Sequence, residues 1–166
     1  MTVEQGLNDA EFARVEEMLD FEFADDHRAF LAAGLPLGAS WPNWRGDGRK
    51  TLQKQLQLPV DGILFAVEWN EFWADGWGRR PARMKDALRS ANYHLTRAPR
   101  LVPVYSHRYL PAGRGSFGHP VLSVVQTDVL VYGANLVDYL DREFGPAGYR
   151  ETAARPTVDF WSTLVS

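Results

Sequence analysis

Apolar side chains recur at helical spacing in two segments near the amino terminus. Asn8 and Glu11, just before the first segment, have the spacing of a capping box, in which each side chain bonds the other residue's backbone N–H. Apolar residues then follow every three or four positions and predict a helix over about 9–19. A second stripe follows Asp25 and predicts a short helix that ends at Gly34.

Pro59 divides the next apolar segment into two predicted helices. It suits the first turn of a new helix because a helix needs no N–H donor there. The helix before it contains Leu52, Leu56 and Leu58. The buried side of the helix after it is predicted to contain Ile63, Leu64, Phe65 and Val67. A further helix over about 81–95 follows from the spacing of Met84, Leu88, Ala91 and Leu95.

From position 101 the pattern changes to β-branched and aromatic runs separated by short turns. Such runs predict an antiparallel meander, with Pro103 marking an edge strand or a bulge. Apolar residues over 136–144 predict a final helix that ends at Gly145. The chain is therefore predicted to have an α+β fold, with a central, mainly antiparallel sheet over about 101–132 and helices packed around it.

Large aromatic residues stand in two segments that otherwise lack a regular pattern. Trp41 and Trp44 interrupt a glycine-rich loop over 38–48, and they are too large and apolar to stay in water. We expect this loop to pack onto the core. Near the carboxyl end, a clasp that folds back on the domain is predicted from Phe160, Trp161, Leu164 and Val165.

Composition limits the class of protein. The chain has 166 residues, 45% of them hydrophobic and 13% aromatic, which suits one domain over 1–166 with a single substantial core. There is no cysteine, which excludes disulfides, thiolate metal sites and cysteine nucleophiles.

Charge is distributed unevenly along the chain. Residues 1–30 carry nine acidic and two basic side chains, whereas residues 31–120 carry six acidic and thirteen basic ones. The net charge of -3 argues against a surface devoted to nucleic acid. No membrane span or basic-then-apolar leader is visible, so we expect a cytoplasmic protein with neither a nucleic-acid nor a membrane partner.

The four histidines are the first candidates for catalysis or metal binding. His107 and His119 flank a glycine-rich turn and could meet across a hairpin, with Asp128 as a third ligand. Their spacing lacks the tight helical pattern of known metal motifs, so a structural role is favoured and no cofactor or stoichiometric metal is expected. Ser106 precedes His107, but neighbours in a strand point to opposite faces and do not act as nucleophile and base.

Two further sequence patterns allow both a functional and a structural interpretation. Glu68 and Glu71 would share a helical face and could act as an acid and base pair, although a role in securing the next loop is favoured. Trp69, Trp73 and Trp77 recur every fourth residue near several arginines, as in surfaces that stack bases. Core packing is favoured, with Trp69 and Trp73 in the core and Trp77 as a lid on a loop.

Several motifs together resemble the SUKH superfamily, which includes bacterial immunity proteins and a yeast cell-wall-assembly regulator. The match covers about residues 25–145 and is a pattern rather than a catalytic signature. Its motifs are Trp41-Pro-Asn-Trp-Arg45, the 62–73 segment Gly-Ile-Leu-Phe-Ala-Val-Glu-Trp-Asn with Phe72-Trp73, Val102-Pro-Val-Tyr-Ser-His-Arg-Tyr-Leu-Pro111, Gln126-Thr-Asp128, Val131-Tyr-Gly-Ala134 and Asp138-Tyr-Leu140.

The resemblance implies a non-enzymatic protein-binding module, most simply an immunity protein that neutralises a cognate bacterial toxin by direct contact. It supplies no catalytic residue. An acidic face is one candidate contact, with Glu22, Asp25 and Asp26 steering a basic toxin and contributing little to stability. An aromatic face around Trp44, Trp77 and Tyr109 is the other. Arg45 and His107 complete the candidate partner-binding set.

Two alternatives remain open at the level of sequence. The chain could be a regulatory scaffold without a toxin partner, which the genes beside its own would distinguish from an immunity protein. It could also be a small hydrolase that uses Glu68, His107 or Asp128. The sequence predicts neither the oligomeric state nor the identity of any toxin.

Overall fold

A computed structural model of the chain describes residues 2–146, 148 and 153–166. Its helices are Asp9–Leu19 (α1), Asp25–Ala33 (α2), Arg49–Trp69 (α3), Met84–Leu95 (α4) and Leu136–Phe144 (α5). Its strands are Thr2–Glu4 (β1), Leu35–Leu37 (β2), Leu101–Tyr105 (β3), Arg108–Pro111 (β4), Val121–Val125 (β5) and Asp128–Gly133 (β6). The two antiparallel sheets and the surrounding helices confirm the predicted α+β class.

The larger sheet is the predicted meander. Its strands lie in the order β3-β4-β5-β6, and every neighbouring pair is antiparallel. Pro103 lies in the edge strand β3, where the register shifts between Pro103 and Tyr105. Both features were predicted, because proline donates no ladder hydrogen bond and is tolerated at an edge or a bulge. The small β1–β2 sheet was not predicted.

The first helix begins with the predicted capping box. Asn8 Oδ1 accepts the N–H of Glu11 at 2.9 Å, and Glu11 Oε1 accepts the N–H of Asn8 at 3.1 Å. These two bonds satisfy backbone donors that have no partner within the helix. The helix extends to Leu19 as expected and buries Phe12 and Val15.

The third helix is continuous through Pro59, so the prediction of two separate helices is wrong. Proline inside a helix removes one hydrogen bond and strains the preceding turn. That cost is offset by packing on both sides of Pro59, which is itself buried. Leu52 and Leu56 enter one core cluster, and Ile63 and Val67 enter another.

The core has three parts. The largest lies among α3, α4 and the sheet, and includes Ile63, Val67, Ala87, Ala91, Leu122, Val129 and Trp161. The second, around α1 and α2, includes Phe12, Val15, Phe23, Leu31, Trp44, Leu52 and Leu56. The third, between α5 and the sheet, consists of Val104, Leu110, Val121, Leu136 and Tyr139.

The two irregular aromatic segments pack onto the core as expected. Trp41 and Trp44 are both buried. At the carboxyl end, Trp161 is buried and its Nε1–H donates to the carbonyl of Pro99 at 3.0 Å. Val165 forms a parallel bridge with Val129 at the edge of β6. The predicted clasp is therefore confirmed.

Candidate functional site

The acidic residues Glu22, Asp25 and Asp26 hold a loop of the protein itself. Asp25 Oδ1 accepts the N–H of Gly115 at 2.9 Å, and Asp26 Oδ2 accepts the N–H of Gly118 at 3.0 Å. Glu22 pairs with Arg114 of the same loop at 3.0 Å. Each of these acids therefore has a partner in the fold, which argues against the expectation that they contribute little to stability.

We call the acidic side chains within residues 1–30 the amino-terminal run, and other members of it also form ion pairs within the protein. Arg45 Nε lies 2.6 Å from Glu11 Oε2, and its Nη1 lies 3.5 Å from Glu4 Oε1. Arg28 pairs with Asp9 at 2.9 Å. Arg45 thus connects the loop before α3 to the start of α1, rather than standing free for a partner.

The predicted aromatic face does not exist as an exposed surface. Trp44 is buried among Phe21 and Phe23, with ring centroids 6.0 and 5.1 Å away. Trp77 and Tyr109 are buried in the largest core cluster, apart from Trp44. Burial raises the pKa of Tyr109 to about 12.

Ser106 and His107 form the two-residue turn between β3 and β4, where Ser106 has φ 52°. The assumption that both lie in a strand is wrong, and the turn brings Ser106 Oγ within 3.1 Å of His107 Nδ1. Arg108 Nη1 lies 2.7 Å from His107 Nε2 and 3.2 Å from Nδ1. The guanidinium nitrogen therefore lies beside both ring nitrogens and is not in line with the lone pair of either one.

The surroundings of His107 favour its neutral form. The hydroxyl of Ser106 lies near Nδ1, and the guanidinium of Arg108 lies near both ring nitrogens. Partial burial lowers the pKa of His107, and the charge of Arg108 lowers it further against the opposing effect of Glu143. His107 is therefore a neutral, hydrogen-bonded residue of a tight turn.

The remaining catalytic candidates are not brought together. Helix α3 ends at Trp69, so Glu71 lies beyond it with φ 57° and shares no helical face with Glu68. His119 Nδ1 lies 2.8 Å from Thr157 Oγ1. Across residues 2–146, 148 and 153–166, no three His, Asp or Glu side chains form a group that could hold a metal ion.

The outer face of α3 carries an apolar stripe that the sequence reading missed. Leu58, Phe65 and Trp69 are 49%, 48% and 67% exposed. With Gly62 between them, their spacing of four, three and four residues keeps all four positions on one side of the helix. We call Leu58, Phe65 and Trp69 the α3 stripe. Phe65 was predicted to be buried, and Trp69 to belong to the core, and both predictions are wrong.

The turn between β5 and β6 packs against the middle of the α3 stripe. A Cβ on Gly62 would lie only 3.0 Å from Cα of Gln126, so glycine allows this close approach. Val125, beside this turn, is also about half exposed. Exposed apolar surface therefore continues from the stripe to the end of β5, beside the β5–β6 turn.

Four exposed carboxylates lie on α3 or in the segments next to the α3 stripe. They are Asp61, Glu68, Glu71 and Asp128. In the described part of the chain none of them forms an ion pair, in contrast to the paired acids of the amino-terminal run. An apolar centre with unneutralised acids at its edges is a surface suited to a basic partner.

The angular positions of these residues around a helix could have predicted the α3 stripe from the sequence. Trp69 lies two residues after the buried Val67, about 200° away around a helix, and so faces away from the core. What hid this was the expectation that tryptophan is buried, together with the expected break at Pro59.

Comparison of the chain with models of known protein families, with curated proteins and with solved structures finds no match in any of the three. The resemblance to the SUKH superfamily therefore rests on sequence patterns alone. Within the described residues, no helix combines the length and apolar character needed to cross a membrane.

Proposed function

We propose that the chain is a non-enzymatic protein-binding module of SUKH type, an immunity protein that neutralises a bacterial toxin by direct contact through the α3 stripe. The single observation that carries this proposal is the exposure of Phe65 and Trp69 on a rigid helix whose opposite face is anchored in the core. Large aromatics provide most of the binding energy in many interfaces, and contiguous exposed apolar surface is uncommon without a partner.

The partner surface is basic. Asp61, Glu68 and Asp128 beside the stripe have no cation of their own among the described residues, so a partner that supplies lysine or arginine gains their attraction. Such charges act mainly on the rate of association, and salt weakens their effect. The proposal thus still uses acidic side chains to attract a basic toxin, but these acids lie on and beside α3 instead of in the amino-terminal run.

A scaffold without a toxin partner would use the same kind of surface. The hydrolase alternative has less support, because Glu68 lies exposed on α3, whereas His107 lies in the turn between β3 and β4 beside the guanidinium of Arg108. The scaffold and the immunity protein differ in one measurable property, which is protection against a toxin encoded beside the chain.

The test uses the toxin candidate from a gene next to the one that encodes this chain. Co-expression of the chain should restore growth that the candidate arrests, and the purified proteins should form a complex. The double variant Phe65→Ser with Trp69→Ser should weaken binding by at least about thirtyfold, the effect of losing about 2 kcal/mol at a hot spot. Phe65 is about half exposed and Trp69 is two-thirds exposed, so the variant should stay folded.

Val137→Ser is the matched control, because Val137 is 77% exposed on α5, outside the stripe. It should bind like the wild type. Failure of the chain to protect against any neighbouring gene product would overturn the immunity function. Full binding by the folded double variant would overturn the α3 stripe as the contact.

A further inference from the structure

A cavity of about 500 Å³ lies just beyond the carboxyl end of α3. Four aromatic residues, Phe72, Trp73, Trp77 and Phe160, line it, and Asp75 and Thr163 are among its polar lining residues. Trp73 follows Trp69 of the α3 stripe by four residues, a distance of at most about 14 Å along the chain. A partner that covers the stripe can therefore also reach this cavity.

The aromatic walls are held in fixed positions. Trp77 is stacked against His94 and Phe160, with ring centroids 5.7 and 5.5 Å away, and Trp73 meets it edge-on at 5.0 Å. Trp73 Nε1–H donates to the carbonyl of Gly78 at 2.8 Å, which fixes the indole ring. The cavity is thus formed before any ligand arrives.

The backbone at Phe160 adds an independent observation. Phe160 has φ 65° and ψ -59° in a tight turn closed by the N–H of Trp161 and the carbonyl of Asp159, 2.7 Å apart. A residue other than glycine in this region costs about 1–3 kcal/mol and is found preferentially at functional sites. Here the strained turn places the Phe160 ring on the cavity wall against Trp77.

The charge of the residues that line the cavity indicates which kind of ligand it would bind. Asp75 is the one charged side chain that lines the cavity, and it is exposed and forms no ion pair within the described part of the chain. Aromatic rings and a carboxylate together favour an organic cation. The guanidinium of Arg80 already lies 5.8 Å from the Trp73 ring centre, but it donates to the carbonyl of Val67 and is not part of the lining.

We infer that the cavity of Trp73, Asp75 and Phe160 binds the cationic end of an arginine or lysine side chain supplied by a protein partner. The inference rests on the proposed function only for the source of that side chain. It adds a specific basic anchor beside the apolar contact of the α3 stripe. The cation binds between aromatic walls, and the Asp75 carboxylate compensates its charge.

The test titrates the isotope-labelled protein with N-acetyl-arginine amide and, separately, with N-acetyl-lysine amide. Binding is followed by NMR through the indole N–H signals of Trp73 and Trp77. N-acetyl-citrulline amide is the control ligand, because it has nearly the shape of the arginine compound without its charge. The cationic compounds should shift these signals saturably, and the citrulline compound should bind at least about fivefold more weakly. Choline distinguishes a free quaternary ammonium ligand from a protein side chain.

Asp75→Asn should weaken the arginine compound about fivefold, the upper range for an exposed charge pair. Glu17→Gln is the matched control, because Glu17 is an exposed acid on α1, and it should leave binding unchanged. Equal binding of the arginine and citrulline compounds, or no binding of either, would overturn the cation site. Tighter binding of choline would overturn the assignment to a protein side chain. None of these results depends on a toxin, so the proposed function stands or fails separately.

Discussion

Arg45 and Glu11 join the loop before α3 to the first turn of α1 through two hydrogen bonds. Arg45 Nε donates to Glu11 Oε2 at 2.6 Å, and Arg45 Nη2 donates to Oε1 at 3.0 Å. The bond from Arg45, followed by that from the N–H of Asn8, lowers the pKa of Glu11 from 4.5 to about 2. One carboxylate therefore caps a helix and anchors a distant loop.

We predict that Arg45→Met lowers the melting temperature at neutral pH. A carboxyl whose pKa is lower in the folded state contributes stability above its unfolded pKa, and this contribution is lost as pH falls from about 4.5 to about 2. The difference in melting temperature between the wild type and the variant should therefore shrink over this range. Thermal unfolding followed by circular dichroism measures it.

Arg89→Met is the control for this prediction. Arg89 is exposed and lies 4.0 Å from Asp86, a surface pair of little expected value. It should leave the melting temperature nearly unchanged at every pH. A constant difference between Arg45→Met and the wild type from pH 7 to pH 2 would contradict the role assigned to Glu11.

The tryptophans near the end of α3 lead to a second prediction. Trp77 is 8% exposed within the largest core cluster, whereas Trp69 is exposed on the α3 stripe. Trp77→Ala should cost about 3–5 kcal/mol of unfolding free energy, and Trp69→Ala should change it by no more than about 0.5 kcal/mol. Urea unfolding of both variants measures the difference. Comparable losses would mean that the two rings have been placed wrongly.

The positions of these two rings show where reasoning from sequence reaches its limit. The exposure of Trp69 could be predicted, since its angle from Val67 follows from helical geometry alone. The burial of Trp77 could not, because its partners His94 and Phe160 are distant in sequence and meet it only in the folded chain. Local patterns contain no information about such contacts.

The difference between local signals and contacts distant in sequence also explains which other parts of the fold could be predicted. The cap at Asn8, the meander and the final helix follow from signals within a few residues, and all were predicted correctly. The continuity of α3 through Pro59 depends on two core clusters that hold the helix on both sides, which overrides the local preference. The small sheet pairs Thr2 with Leu37, and strands of three residues carry almost no periodic signal.

The acids at the start of α2 lead to a third prediction. Asp25 and Asp26 accept the N–H groups of Gly115 and Gly118, and a hydrogen bond to a charged group contributes about 1.5–3 kcal/mol. We expect Asp25→Ala to accelerate amide hydrogen exchange at Gly115, and Asp26→Ala to do so at Gly118. Both variants should also lower the melting temperature. NMR-detected exchange resolves the two amides.

Glu17→Ala is the control here, because it removes an exposed acid without a hydrogen bond in the described structure. It should leave exchange at both glycines unchanged. If the two aspartate variants melt and exchange like the wild type, these carboxylates are free after all, and the acidic-face hypothesis for the amino-terminal run regains its basis.

His27 provides the last prediction through its burial. It lies in α2 with 1% of its surface exposed, and its ring meets Phe23 edge-on at 5.1 Å. Neither ring nitrogen has a hydrogen-bond partner among the described residues. Burial lowers the pKa of His27 from 6.5 to about 3, because the charged imidazolium would lose its hydration without compensation.

Between these two pKa values the unfolded chain binds a proton that the folded chain excludes. The stability due to neutral His27 is therefore complete above pH 6.5 and is lost as pH falls toward 3, with a limiting slope of about 1.4 kcal/mol per pH unit. Glu11 makes no contribution between pH 6.5 and 5, since both of its pKa values are lower.

We predict that His27→Phe flattens the pH dependence of the unfolding free energy between pH 7 and pH 5. It should also preserve or raise stability at pH 7, because phenylalanine retains the contact with Phe23 and removes two buried polar atoms without partners. Urea unfolding at pH 7, 6 and 5 measures both effects, with His119→Phe as the control outside the core. A wild-type unfolding free energy that is constant over this range would contradict the burial of an unpaired imidazole, because such a group must lose stability wherever the unfolded chain alone is protonated.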